Sequence, residues 1–166
     1  MEVYKNLPEG TLAELIDNVI YMSPTPVTNH QKVLQTIFRR LSEHIDDHYR
    51  GQVIVAPFDV YLDETSNAVQ PDLVVILKAN KNQPDPKGHF HGVPDILVEV
   101  LSPGNRDHDL VKKKNLYEKF GVKEYWIVDP QTKETIGYTL NSEKYENMTT
   151  QPGSMHSPLL NATFSF

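Results

Sequence analysis

Three short apolar runs, VQPDLVVIL at 69 to 77, PDILVEVL at 94 to 101 and KEYWIVD at 123 to 129, do most to restrict what this chain can fold into. Each is rich in β-branched or aromatic residues and too short for most helices, so each reads as a strand. Strands that are apolar at nearly every position must be covered on both faces. Elsewhere the period changes. Val33, Leu34, Ile37, Phe38, Leu41 and Ile45 recur at three- and four-residue spacing, which predicts an amphipathic helix from about 28 to about 48. The prolines of SPTPVTNH keep that helix from starting earlier, and a Thr or Asn is placed to cap it. A second helix is expected over about 107 to 120, ended by Gly121. Strands alternating with helices in this way predict an α/β or α+β architecture with a central mixed β-sheet flanked by helices.

ELIDNVIYM, 14 to 22, predicts an opening β-hairpin turning at Asp17 and Asn18, because both residue types tolerate the positive φ of a tight turn. QVIVAPFDVYLD, 52 to 63, reads as one strand, and 78 to 92 as an aperiodic loop. Thr135 to Leu140 is a further strand, and beyond 141 the pattern weakens into what reads as a last hairpin across an edge. A chain of 166 residues fits one domain, 1–166. Cysteine is absent, which excludes disulfide scaffolds, thiolate metal sites and cysteine nucleophiles. A net charge of −6 argues against a protein that coats nucleic acid, though not against a local basic groove. No apolar stretch approaches the roughly 20 residues of a membrane helix, and the N-terminus lacks a signal-peptide pattern, so the expected location is cytoplasmic.

Charged residues inside apolar segments carry the chemistry. Asp72 and Glu99 each stand among aliphatic neighbours, and a buried carboxylate is costly unless it is paired or binds metal. Either could instead lie at a strand end, capped by amides or water. On the 107–120 helix, Leu110, Leu116, Tyr117 and Phe120 share an arc with Lys113 near its middle, whereas Lys112 and Lys114 fall outside it. Lys113 therefore points inward, toward Asp109 four residues earlier or toward the two carboxylates on the sheet. Two carboxylates and a lysine around one volume are what divalent-metal hydrolysis of a phosphodiester needs: the carboxylates hold Mg²⁺, and the lysine serves the attacking water or the developing charge. Glu14, an acid among Leu15, Ile16, Val19 and Ile20, either joins them or faces solvent from an edge strand.

The order ELID, His30, Pro71-Asp72, PDILVEVLSP, Asp109-x-x-x-Lys113-x-x-x-Tyr117 and GVKEYWIVDP resembles the Uma-two family of restriction-endonuclease-like proteins, within the PD-(D/E)XK nuclease superfamily. The resemblance implies a restriction-endonuclease-like core and Mg²⁺-dependent cleavage of DNA, with Mn²⁺ able to substitute. Asp72 matches the motif Asp and Glu99 the following acid, both as metal ligands. Leu101 stands where the superfamily usually has Lys, and Lys113 matches the position of a migrated lysine. Glu14 matches the family's upstream acid, and Asn18 stands where many relatives have Gly. Cleavage of both strands needs two active sites, which fits a homodimer, although no sequence feature demands one. The rival is a non-catalytic nucleic-acid-binding or regulatory module that keeps the fold, favoured by the acidic charge and by Leu101.

His30, on the apolar side of the first helix, is either an accessory group at the site or a satisfied core histidine. His44 with His48, and His89 with His91, have spacings compatible with metal but lack a third ligand. Ser102 lacks the surroundings of a serine nucleophile, and Tyr125 and Trp126 read as sheet packing.

Overall fold

The computed structural model describes residues 1–86, 88–104 and 106–166; Lys87, within the expected 78–92 loop, and Asn105 lie outside it. A short helix α1 (Glu2–Lys5) leads into the hairpin of β1 (Ala13–Ile16) and β2 (Val19–Met22). Asp17 and Asn18 take φ of 48° and 64°, the left-handed pair that a two-residue hairpin demands. Helix α2 (Thr28–Ile45) follows, its buried face made of His30, Val33, Leu34, Ile37, Leu41 and Ile45. The expected side-chain cap is not formed: Val27 precedes the helix, and Asn29 instead donates to the Pro130 carbonyl at 2.7 Å.

Two of the expected strands are each divided between two sheets. The 52–63 segment forms β3 (Gly51–Val55) and β4 (Asp59–Tyr61), and the 69–77 segment forms β5 (Ala68–Val69) and β6 (Leu73–Leu77). Pro57 and Pro71 stand at the two breaks, where a residue without an N–H cannot continue a ladder. The stretch expected as loop contains β7 (His89–His91), which runs parallel to β4 and is anchored by the fully buried Phe90. Next come β8 (Ile96–Val100), a π-helical segment (His108–Lys113), α3 (Lys114–Phe120), β9 (Glu124–Val128) and β10 (Thr135–Asn141). Gly121, with φ of 84°, ends α3. The tail is more ordered than its pattern suggests. Strand β11 (Lys144–Asn147) extends the sheet beside β10, and β12 (Ser154–Ser157) pairs with β13 (Ala162–Ser165) as a separate hairpin.

The result is a six-stranded mixed sheet, β11-β10-β9-β8-β6-β3, facing a five-stranded one, β2-β1-β5-β4-β7. One face of the larger sheet packs on α2 and on Met155, Leu160 and Phe164 of the terminal hairpin. Full burial of each such side chain contributes about 1.5–3 kcal/mol, so the tail is part of the core. The other face packs on the smaller sheet and α3. Along β8, Ile96, Val98 and Val100 belong to the first core and Leu97 to the second, so the alternation of side chains sends Glu99 into the layer between the sheets. Among the described residues no helix is long and apolar enough to cross a membrane.

Candidate active site

Asp72 and Glu99 meet because of register. Antiparallel pairing of Leu73 with Val98 places Asp72, one residue before β6, beside Glu99 on β8. The Asp72 amide lies 3.4 Å from Glu99 Oε2. Asp72 Oδ2 accepts the Val100 N–H at 2.7 Å and lies 3.1 Å from His30 Nε2 on α2. Burial works against a charged His30, but the hydrogen bond and charge of Asp72 more than offset it and raise its pKa.

The third acid comes from the other sheet. Strand β1 lies between β2 and β5, so Glu14 is not on an edge and is only 2% exposed. Its Oε1 accepts the Gln70 N–H at 2.8 Å, and His108 Nε2 lies 2.8 Å from its Oε2. Lys113 bridges the two sheets: its Nζ is 2.8 Å from Glu14 and 2.8 Å from Glu99, with Asp109 at 3.7 Å. Tyr117 donates its hydroxyl to the same Glu99 oxygen at 3.2 Å.

Charge in this layer is decided by pairing against burial. Burial alone would lift the Glu14 pKa, but Lys113 and His108 hold it down at about 2. Glu99 goes the other way: burial pushes it well above the ordinary value, the charges of Asp109, Asp72 and Glu14 add to that, and Lys113 only partly opposes it. Burial acts against the Lys113 ammonium too, yet Glu14, Glu99 and Asp109 hold its pKa well above the ordinary range. Lys113 is therefore a hydrogen-bond donor and a cation at neutral pH, not a proton acceptor.

Asp72, Glu99, Lys113, Glu14 and His30, all singled out in the sequence, border one cleft of about 90 Å³. Sequence reasoning missed the His108 and Gln70 contacts to Glu14, and it placed Tyr117 on the apolar arc and in the resemblance motif without giving its hydroxyl a role. In an α-helix His108 and Lys113 would stand about 140° apart. The π-helical turn, with its i→i+5 spacing, lets both reach the same carboxylate. Asp109 does contact Lys113, but more distantly than the two glutamates. Leu101, at the usual lysine position, is buried in the same layer as Glu99. Of the remaining histidines, His44 pairs with Arg50 and His48 with the Glu43 carbonyl. His89 and His91 contact Asp59 and Glu64 on the smaller sheet. Tyr125 and Trp126 are wholly buried.

Among the described residues no group of three or more His, Asp or Glu side chains is placed to hold a metal. Two carboxylates are nevertheless suited to one. His30 and Val100 engage Asp72 through Oδ2, while Lys113 and Tyr117 engage Glu99 through Oε1. Asp72 Oδ1 and Glu99 Oε2 remain as the less engaged oxygens. Hard oxygens from one or two carboxylates, completed by water and phosphate oxygens, are the usual donor set of Mg²⁺.

The two packed sheets and their flanking helices form a mixed α+β fold that a solved structure shares. A crystal structure from Anabaena variabilis, described as a "putative nuclease belonging to DUF820", superposes with a TM-score of 0.77 at 17% identity, over 96% of this chain and 89% of that one. The Uma2 family model, described as "Putative restriction endonuclease", matches residues 1–165, and the chain belongs to that family. No curated protein matches it in sequence.

Proposed function

We propose that this protein is a Mg²⁺-dependent endonuclease that hydrolyses DNA phosphodiester bonds in the cleft between its sheets. The observation that carries this reading is the Lys113 ammonium, 2.8 Å from Glu99 and 2.8 Å from Glu14, beside an Asp72–Glu99 pair brought together by strand register. Asp72 and Glu99 would hold the metal, which supplies charge neutralisation at phosphorus and a more acidic water. Lys113, held protonated, orients the attacking water and stabilises charge on the phosphoryl oxygens. Glu14 assists by fixing Lys113 from the opposite sheet. His30, bonded to Asp72 Oδ2, would leave Oδ1 available to hold the metal. On this reading the unit is one cytoplasmic domain, 1–166, and cutting a duplex takes two copies as a homodimer.

The alternative, a nucleic-acid-binding or regulatory module without catalysis, is favoured by the acidic charge and Leu101 and gains one structural observation: a Glu99 oxygen is already engaged by Lys113 and Tyr117. Nicking of supercoiled plasmid with Mg²⁺ or Mn²⁺ separates the two. The parent protein nicks, and Asp72→Asn and Lys113→Met each lose about 10²–10³-fold in rate, the range for deleting an electrostatic stabiliser. A parent that neither nicks nor binds Mg²⁺ by calorimetry refutes the endonuclease reading.

A further inference from the structure

On the endonuclease reading, a polymeric substrate must continue past the reacting phosphate on both sides of the cleft. The wall formed by residues 102–104 and 106–113 shows where. Ser102 borders both the cleft and a neighbouring hollow, and Arg106 is the cation that lines that hollow. His108 also borders the cleft, and it packs against Tyr21 at 5.0 Å between ring centroids. Lys112 lies over that same Tyr21 ring at 4.2 Å and donates to its hydroxyl at 3.1 Å. Arg106 and Lys112 are thus two exposed cations joined through Ser102, His108 and Tyr21 along the rim of the cleft.

Both cations are free to accept a phosphate. The Arg106 side chain is 49% exposed and uses NH1 for Asp129 at 2.6 Å, leaving donors of its planar fork available. Asp129 does not depend on Arg106 alone, because the Gln131 and Thr132 amides also donate to it, at 2.9 and 3.2 Å. Lys112 is held by a neutral phenol, which a phosphate displaces at little cost. Asp107 is the unfavourable neighbour: it borders a third hollow together with Arg106 and His108, and a phosphate track avoids that side.

We propose that Arg106 and Lys112 grip the phosphates flanking the scissile one, so that a nucleic-acid strand passes Arg106, Ser102, His108 and Lys112 with its reacting phosphate in the cleft. This rests on the endonuclease reading. The test is binding of a short labelled DNA duplex, with Ca²⁺ in place of Mg²⁺, over a range of salt concentrations. It compares the parent with Arg106→Ala, Lys112→Ala, the double variant, Arg106→Lys, and Arg39→Ala as a charge-matched control on the exposed side of α2. Each phosphate contact contributes about 0.9 to the slope of log K against log salt. Arg106→Ala and Lys112→Ala should each lower that slope by about 0.9 and the double variant by about 1.8, while Arg106→Lys restores it and Arg39→Ala leaves it unchanged. Equal losses in all the alanine variants, control included, would mean diffuse attraction and overturn the track. Unchanged slopes in a protein that still nicks plasmid overturn the track alone, whereas absence of binding in a parent that does not nick overturns the endonuclease reading with it.

Discussion

Lys113→Met removes the cation between the two sheets while keeping the length of the side chain, and its cost can be worked out in two ways. Breaking one partner out of a buried ion pair typically costs about 3–5 kcal/mol, because the remaining charge is left without compensation. Independently, the fall of the Glu14 pKa from 4.5 to about 2 corresponds to about 3 kcal/mol at about 1.4 kcal/mol per pH unit, most of it owed to Lys113 and His108. Both routes predict a loss of about 3 kcal/mol or more at neutral pH, a large share of the stability of a domain. The pH dependence carries a sign. In the parent, the Glu14 contribution is complete above 4.5 and is lost as the pH falls toward about 2. Glu99 and Asp109 already have raised pKa values, so their contributions favour acid and fade as the pH rises through those values. Without the ammonium all three carboxyls take up protons more readily, so the penalty of Lys113→Met shrinks from neutral pH toward about pH 5. Urea denaturation of the parent and variant at both pH values measures it. A loss under about 1 kcal/mol at neutral pH, as for an exposed pair, or a penalty that grows in acid, would refute the electrostatic account.

Other consequences can be checked in the same way. Phe164→Ala, which empties a buried position beneath α2, should cost about 3–5 kcal/mol in urea denaturation even though it lies far from the cleft; a cost within experimental error would show that the terminal hairpin is not part of the core. A Cβ on Gly137 would meet the Trp126 ring at 2.5 Å, so Gly137→Ala should destabilise by about 1–3 kcal/mol and shift the fluorescence of the single tryptophan. Glu124 accepts from Trp126 Nε1, Ser157 and the Leu159 amide, and Glu124→Ala should raise the protease sensitivity of residues 154–165 by loosening the hairpin from β9.

Much of the candidate site was legible because acids and a lysine inside apolar runs are costly exceptions. Asp72, Glu99, Lys113 and Glu14 stood out on that ground, and their convergence on one cleft follows from the same cost. His108 gave no such signal. A histidine in a polar stretch is ordinary, and α-helical spacing turns it away from Lys113, so only the π-helical turn brings it to Glu14. The last 25 or so residues were undervalued for a related reason: Met155, Leu160 and Phe164 are spaced too irregularly to show a period, yet all three are buried.

By itself the sequence determined the local geometry: the left-handed Asp17-Asn18 turn, the buried face of α2, the Gly121 stop and the apolar character of the central strands. These depend on backbone freedom and on periodicity over neighbouring residues, which a chain carries wherever it folds. Tertiary structure alone decided that the segments around Pro57 and Pro71 pass from one sheet to the other, that Asp72 lies beside Glu99, and that one ammonium serves acids from both sheets. Strand partners and the strength of charge interactions are set by distance and burial across the fold, and neither exists until the two sheets have packed.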